Sequence, residues 1–301
     1  MKKRYLFIVL MLFVLCTMVA CEKTTDLKKE DTASVGENNA EETEPSEEET
    51  IISPEGTTLE TRIKAPDSYE RVLADEGSFS AFLRKYSLKE DGSPVLLYNG
   101  NKKGNQDAHV AVFELPIEAE DLQQCADSVM RMYAEYFWET EQYEKIKFHF
   151  TNGFEAEYVK WREGYRILVN GNQTSWTKSA EYDDSYETFV KYMRMVFSYA
   201  GTLSMETETK AISLTEIQAG DVFLVGGSPG HVVMVVDVCE NAKGEKAFLL
   251  AQGYMPAQEF HVLKNPLHDN DPWYYEDEFR YPFRTPEYRF EEDSLRRLNY
   301  D

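Results

Sequence analysis

Cysteine is scarce in this chain, with four in 301 residues. Cys16 and Cys21 lie in or beside the N-terminal apolar run, which leaves Cys125 and Cys239 for the folded part. Two cysteines make no disulfide framework, and a single bridge between them is the most they allow. Basic residues are also few, 32 against 54 acidic, for a net charge of −22. No basic patch stands out, so nucleic acid is not an expected partner. Only one long apolar run occurs, Leu6 to Val19, and it falls short of the ~20 residues a spanning helix needs. There is no internal repeat. His261, His268, Asp269 and Asp271 are close in sequence but match no tight zinc spacing, so neither a metal nor another cofactor is expected.

What is present begins with an export signal over residues 1–20. Lys2, Lys3 and Arg4 form a positive start, and the apolar run ends at Ala20. The ending Met18-Val19-Ala20-Cys21 resembles a bacterial lipobox. That resemblance implies cleavage before Cys21 and lipidation of its thiol. The expected result is an exported protein anchored to the cell membrane by lipid rather than spanning it. An ordinary signal followed by an incidental cysteine is the alternative. Glu22 to Glu60 then carries 13 Asp/Glu, 3 Lys and no aromatic residue. Such a stretch buries too little apolar surface to order itself. Residues 21–56 therefore read as an acidic tether, with a reach of about 30–35 Å as a flexible coil.

Residues 57–301 read as one α+β domain. A short helix is expected around Phe79–Leu83, and strands at Val95–Tyr98 and His109–Leu115. The strongest helical pattern follows. Asp121 stands at a cap position with Gln124 three residues on, and Leu122, Cys125, Ala126, Val129, Tyr133, Tyr136 and Phe137 share one face. That helix is expected to run to about Tyr143. A strand is expected at Tyr165–Val169, then a helix capped by Asp184 or Ser185 and stopped by Gly201. Asp221–Val225, His231–Cys239 and Ala247–Gln252 predict an antiparallel meander. The aromatic tail, Pro272 to Arg289, is expected to wrap the surface. Trp161, Trp176, Trp273, Tyr274 and Tyr275 could stack on sugar rings, although packing accounts for most aromatics in a chain that is 13% aromatic.

Ile217-Gln218-Ala219-Gly220-Asp221-Val222-Phe223, followed by Pro229-Gly230-His231-Val232-Val233-Met234-Val235-Val236-Asp237, resembles the histidine half of the NlpC and CHAP groups. These are papain-like peptidases and amidases of bacterial cell walls. The resemblance covers about 35–40 residues and is moderately specific. It implies a papain-like core of helices packed on the meander, with N-terminal additions. His231 would be the base, and a polar residue on the next strand would orient it. The whole chain also resembles an uncharacterised family of bacterial lipoproteins, on Asp121–Asp127, Pro229–His231 and Leu250–Gln258. That likeness implies no activity.

A cysteine nucleophile in such an enzyme stands near a helix N-terminus, where free N–H groups and the helix dipole favour a thiolate. Cys125 follows Asp121 by four residues and precedes His231 by 106. The NlpC pattern has an Asp-Cys-Ser-Gly-like start. Here the run is Gln124-Cys125-Ala126-Asp127, which an Asp121 cap would place one turn deeper. Gln252, 21 residues after His231 on the next expected strand, is the expected orienting residue, with Gln258 or His261 as alternatives. The expectation is a thiol hydrolase (Cys125 nucleophile, His231 base, Gln252 orienter) cutting an amide in cell-wall peptide. The alternative is a non-catalytic envelope lipoprotein that uses the same scaffold for binding. Cys125 would then be a packing residue and His231 a structural histidine. Cys239 shares the two-residue phase of His231, but eight strand residues place it roughly 26 Å away.

Overall fold

The computed structural model describes residues 50–300. The expected signal, Cys21 and the expected tether up to residue 49 lie outside the described residues. The folded unit starts earlier than residue 57. Ile52 bridges Ile63, the Ser53 amide donates to the Arg62 carbonyl, and Gly56 is buried. No helix among the described residues is long and apolar enough to cross a membrane.

The order of elements is α1 (Leu59–Arg62), β1 (Tyr69–Arg71), α2 (Phe79–Lys85), β2 (His109–Val112) and α3 (Cys125–Glu139). A peripheral hairpin β3 (Lys147–His149) and β4 (Glu155–Glu157), α4 (Tyr158–Arg162), and a second hairpin β5 (Tyr165–Asn170) and β6 (Gln173–Lys178) follow. Next come α5 (Tyr186–Phe197), α6 (Thr202–Thr207), β7 (Thr209–Ala211), β8 (Val222–Val225), β9 (His231–Asn241), β10 (Lys246–Gln252) and β11 (His261–Leu263). The tail supplies β12 (Tyr274–Tyr275), β13 (Phe283–Arg284), β14 (Arg289–Phe290) and β15 (Leu295–Leu298). The fold is mixed α and β, and its strand pairings are antiparallel. The main sheet runs β2-β11-β10-β9-β8-β15-β7, with β1 also on β9 and β12 also on β10.

The expected meander is the centre of this sheet, with β9 between β8 and β10. Its residues from His231 to Cys239 are all buried, so the strand reads as a continuous apolar run rather than an alternating one. One face carries Val232, Met234, Val236, Leu249 and Ala251 and packs on the helices, including Val129 and Met130 of α3. The other carries Phe223, Val233, Val235, Phe248 and Leu250 and is covered by the tail residues Phe283 and Phe290. Between Leu249 and Leu250 the register shifts: Leu249 pairs with Asp237 but Leu250 with Val235. Val236 is the extra residue of a β-bulge. The bulge reverses the phase of the second half of β9. It turns Asp237 to the helix face, where the fully buried carboxylate meets Arg71 at 2.6 Å and Arg84 of α2 at 2.7 Å.

Several expectations need correction. The cap position of α3 is Gln124, with Cys125 the first helical residue, and not Asp121. The Asp121 carboxylate is taken by the Gln124 side chain and the Ala257 amide, and Leu122–Gln124 forms a tight turn instead. The helix ends at Glu139, where Glu141 turns to φ 59. Val95–Tyr98 makes only isolated bridges, Leu96 with Lys102 and Leu97 with Gln258. α5 is capped by the Ser185 side chain, and Gly201 precedes α6 rather than ending α5. Helices and strands are interspersed along the chain. Cys239 does not share the face of His231, because the bulge lies between them; it belongs to the helix-side core. Cys125 and Cys239 are both free, so no bridge joins them.

Candidate active site

Cys125, His231 and Gln252 stand at three element ends. Cys125 is the first residue of α3, His231 the first of β9 and Gln252 the last of β10. Adjacent antiparallel strands put the start of one beside the end of the next, which explains why His231 and Gln252 meet. His231 Nε2 lies 2.8 Å from Gln252 Oε1. Gln252 and His231 are 0% and 2% exposed. Of the other proposed orienters, Gln258 turns to the Pro256 carbonyl, and His261 to the Glu259 carbonyl and Lys103.

Cys125 arrives from the helix layer. Gly253, directly after β10, lies so close to α3 that an added Cβ would stand 2.4 Å from Ser128 Oγ and 2.9 Å from the Gln124 carbonyl. This close approach seats the helix start on the strand ends. The sulfur is within reach of the backbone N–H of Val232, the residue after His231. The structure therefore brings all three residues to one end of the sheet. Among the described residues, however, no hydrogen bond joins the Cys125 thiol to the His231 ring, whose hydrogen bond goes to Gln252.

The electrostatics differ from the sequence expectation. Burial, then the Asp127 carboxylate, pushes the Cys125 thiol up to about 11, against the pull of the Val232, Ala126 and Cys125 backbone N–H groups. Burial lowers His231 to about 4, opposed by its bond to Gln252. Both groups are thus neutral near pH 7. The helix N-terminus favours a thiolate, but desolvation outweighs it here. Asp127 is itself pushed up to about 8 by burial, with the Gln124 amide pulling it down.

Four features around the site were not legible in the sequence. The His231 ring is flanked by Tyr254 and Tyr288, with centroids at 4.6 and 4.7 Å, and stacks on Phe290 at 6.1 Å. Tyr254 and Tyr288 are half-buried and form its outer wall. Gln123, two residues before Cys125, is fully buried, with neither amide atom partnered among the described residues. On the far side of Gln252, its Nε2 donates to Glu287 Oε2 at 2.8 Å. Buried Lys103 donates to the same oxygen. Only the aromatic richness of the tail hinted that it would cover anything.

The expected sugar-stacking aromatics mostly pack. Trp161, Trp273 and Tyr274 are buried, and Trp273 Nε1 donates to the Lys64 carbonyl at 2.9 Å. His268 pairs with Glu278, while Asp271 accepts from the Trp273 amide and the Tyr275 hydroxyl. These side chains and His261 do not converge. No group of three or more His, Cys, Asp or Glu among the described residues is arranged to hold a metal ion. A surface cavity of about 590 Å³ lies beside Tyr86, Glu135 and Tyr136, along the C-terminal half of α3 and away from Cys125.

The family model described as domain of unknown function 4846 matches residues 59–297. The chain belongs to that family. The matched span runs from the start of α1 into β15, so the family domain contains Cys125, His231, Gln252 and Glu287. No curated protein and no solved structure matches the chain.

Proposed function

We propose that this member of the family is a papain-like thiol hydrolase that cuts an amide bond in cell-wall peptide, held outside the cytoplasm by lipid on Cys21. The observation that carries the reading is the convergence of a helix-starting cysteine with a strand-starting histidine bonded to Gln252. The anchoring rests on the lipobox-like Met18–Cys21 and the acidic stretch after it.

In the reaction, the Cys125 sulfur adds to the substrate carbonyl while His231 takes the thiol proton on Nδ1. The α3 N-terminal amides hold the oxyanion. His231 then gives the proton to the leaving amine as the C–N bond breaks. Water, activated by the same imidazole, hydrolyses the thioester and regenerates the thiol. A thiol near 11 and an imidazole near 4 bear on timing. Forming the ion pair in advance would cost on the order of 10 kcal/mol before mutual attraction. Proton transfer therefore accompanies attack, once substrate brings sulfur and ring into contact.

The test is release of new amino groups from purified peptidoglycan. Wild-type protein should release them, and Cys125→Ala should lower the rate at least about a hundredfold, the scale of losing a nucleophile. Equal rates in the two proteins would exclude this mechanism.

A second reading, a non-catalytic binding scaffold, is favoured by one observation: the thiol and imidazole are both buried and neutral, behind Tyr254 and Tyr288. It predicts no alkylation of Cys125 by iodoacetamide in the folded protein, even with peptidoglycan fragments present. Modification of Cys125 that accelerates with fragments would count against it.

A further inference from the structure

We propose that Glu287, held by Lys103, is a positioning residue that fixes His231 in the Nε2–H tautomer and leaves the Nδ1 lone pair as the site's base. The inference extends the reading above, but it concerns the resting protein and can be tested without substrate.

Lys103, Glu287, Gln252 and His231 form one chain of donors and acceptors. The Lys103 ammonium can only donate. It meets Glu287 Oε2 and lies 3.3 Å from His261 Nε2, so that ring nitrogen accepts. His261 is then protonated on Nδ1, which lies 2.8 Å from the Glu259 carbonyl oxygen and donates to it. An ionised Glu287 can only accept. Its Oε1 takes Asn105 Nδ2 at 3.2 Å, and its Oε2 takes Lys103 and Gln252 Nε2.

A glutamine amide has a donor end and an acceptor end, and the carboxylate engages the donor end. Gln252 therefore has to present Oε1 to His231, at 2.8 Å. An oxygen there requires a proton on Nε2, and a neutral imidazole then has its lone pair on Nδ1. Without the carboxylate the amide could turn over and offer its NH₂, which would favour the opposite tautomer. The tail is thus more than a cover. It carries the acceptor oxygen that decides which nitrogen of a histidine 56 residues upstream is basic.

The test is a long-range ¹H–¹⁵N spectrum of the full chain labelled with ¹⁵N-histidine, with His231 assigned by its loss in His231→Gln. Wild type should show His231 with Nε2 protonated. Glu287→Gln keeps an acceptor oxygen and should keep that tautomer. The double variant Lys103→Met/Glu287→Met removes both charges, so no unpaired lysine is left buried. It should shift the tautomer ratio of His231 by roughly tenfold or more, the scale of losing a charge-assisted hydrogen bond. His149 and His268, bonded elsewhere to Glu208 and Glu278, should not change and serve as the folding control. His231 protonated on Nδ1 in wild type would overturn the proposal. So would an unchanged ratio in the double variant with the control signals intact. Neither result depends on the protein being a hydrolase.

Discussion

Replacing Asp127 by Asn should stabilise the fold, and by more as the pH rises from 4 to 8. Asp127 lies in the first turn of α3, three residues after the helix cap. Burial lifts its carboxyl from 3.8 to about 8. Oδ2 accepts the Gln124 amide at 3.0 Å, while Oδ1 is buried with no partner among the described residues, as suits a protonated carboxyl. In the unfolded chain the same group ionises near 3.8. Between 3.8 and 8 the folded state holds a proton that the unfolded state has released. Stability from this group is therefore full below 3.8 and lost progressively up to the folded value near 8. At 1.36 kcal/mol per unit, the loss reaches about 4 kcal/mol at pH 7 and about 6 kcal/mol from pH 8 upward.

Asparagine keeps an oxygen for the Gln124 amide and carries no such loss. Burial lowers His109, His231 and His261, so these slope the other way. The stability they contribute is full above about 6.5 and lost as the pH falls. They occur in both proteins and cancel in the difference. The difference in unfolding free energy between Asp127→Asn and wild type should thus rise by about 4 kcal/mol from pH 4 to 7 and level off near 8. Effects independent of pH only move the curve up or down. Urea unfolding at intervals across that range measures it. A flat difference curve would refute the reasoning, because Asp127 would then titrate alike in both states. Asp127 also raises the Cys125 thiol, so the variant should speed alkylation at pH 8 under conditions where the thiol is reached.

Two further outcomes are expected. Gly253→Ala places a methyl 2.4 Å from Ser128 Oγ and 2.9 Å from the Gln124 carbonyl, and overpacking of this kind costs about 1–3 kcal/mol; an unchanged melting temperature would show that the start of α3 can shift freely. Cys21→Ser in the full chain should abolish incorporation of labelled fatty acid and move the protein from the membrane fraction to the soluble one. Continued sedimentation with membranes would place the anchor elsewhere.

Local sequence pattern carried most of the fold that was legible. α5 follows from its helical period, and the β8–β9–β10 meander from short runs of β-formers bounded by turn residues. The apolar face of α3 marks the helix, but a cap at Asp121 puts its start three residues too early. Asp121 is a good cap by composition, and nothing local shows that the Ala257 amide, 136 residues away, takes its carboxylate. Tertiary competition for one side chain overrode a local rule. The same blindness hid β15, which slots between β8 and β7 from the far end of the chain. Leu295-Arg296-Arg297-Leu298 has no alternation, because Arg297 reaches Asp221 and Arg296 reaches Thr209.

The site was legible as residue types, but its geometry depends on a feature the sequence does not mark. Without the β-bulge, the pairing of Leu249 with Asp237 would continue and set Gln252 opposite Met234, on the helix face. His231 and Gln252 would then point to opposite sides of the sheet. The extra residue at Val236 brings Gln252 opposite Val233, two positions along from His231 and on the same face. The run Val232-Val233-Met234-Val235-Val236 is uniformly apolar and gives no sign of where the phase changes. Asp237 offers the physical reason for the change. A carboxylate in the middle of a buried strand must find cations, and here they lie on the helix side, in Arg84 and Arg71. Removing one partner of such a buried pair typically costs about 3–5 kcal/mol. An in-phase strand would turn the carboxylate toward the aromatic tail instead. The demand of Asp237 for its arginines thus fixes the bulge, and the bulge fixes the face on which His231 and Gln252 meet.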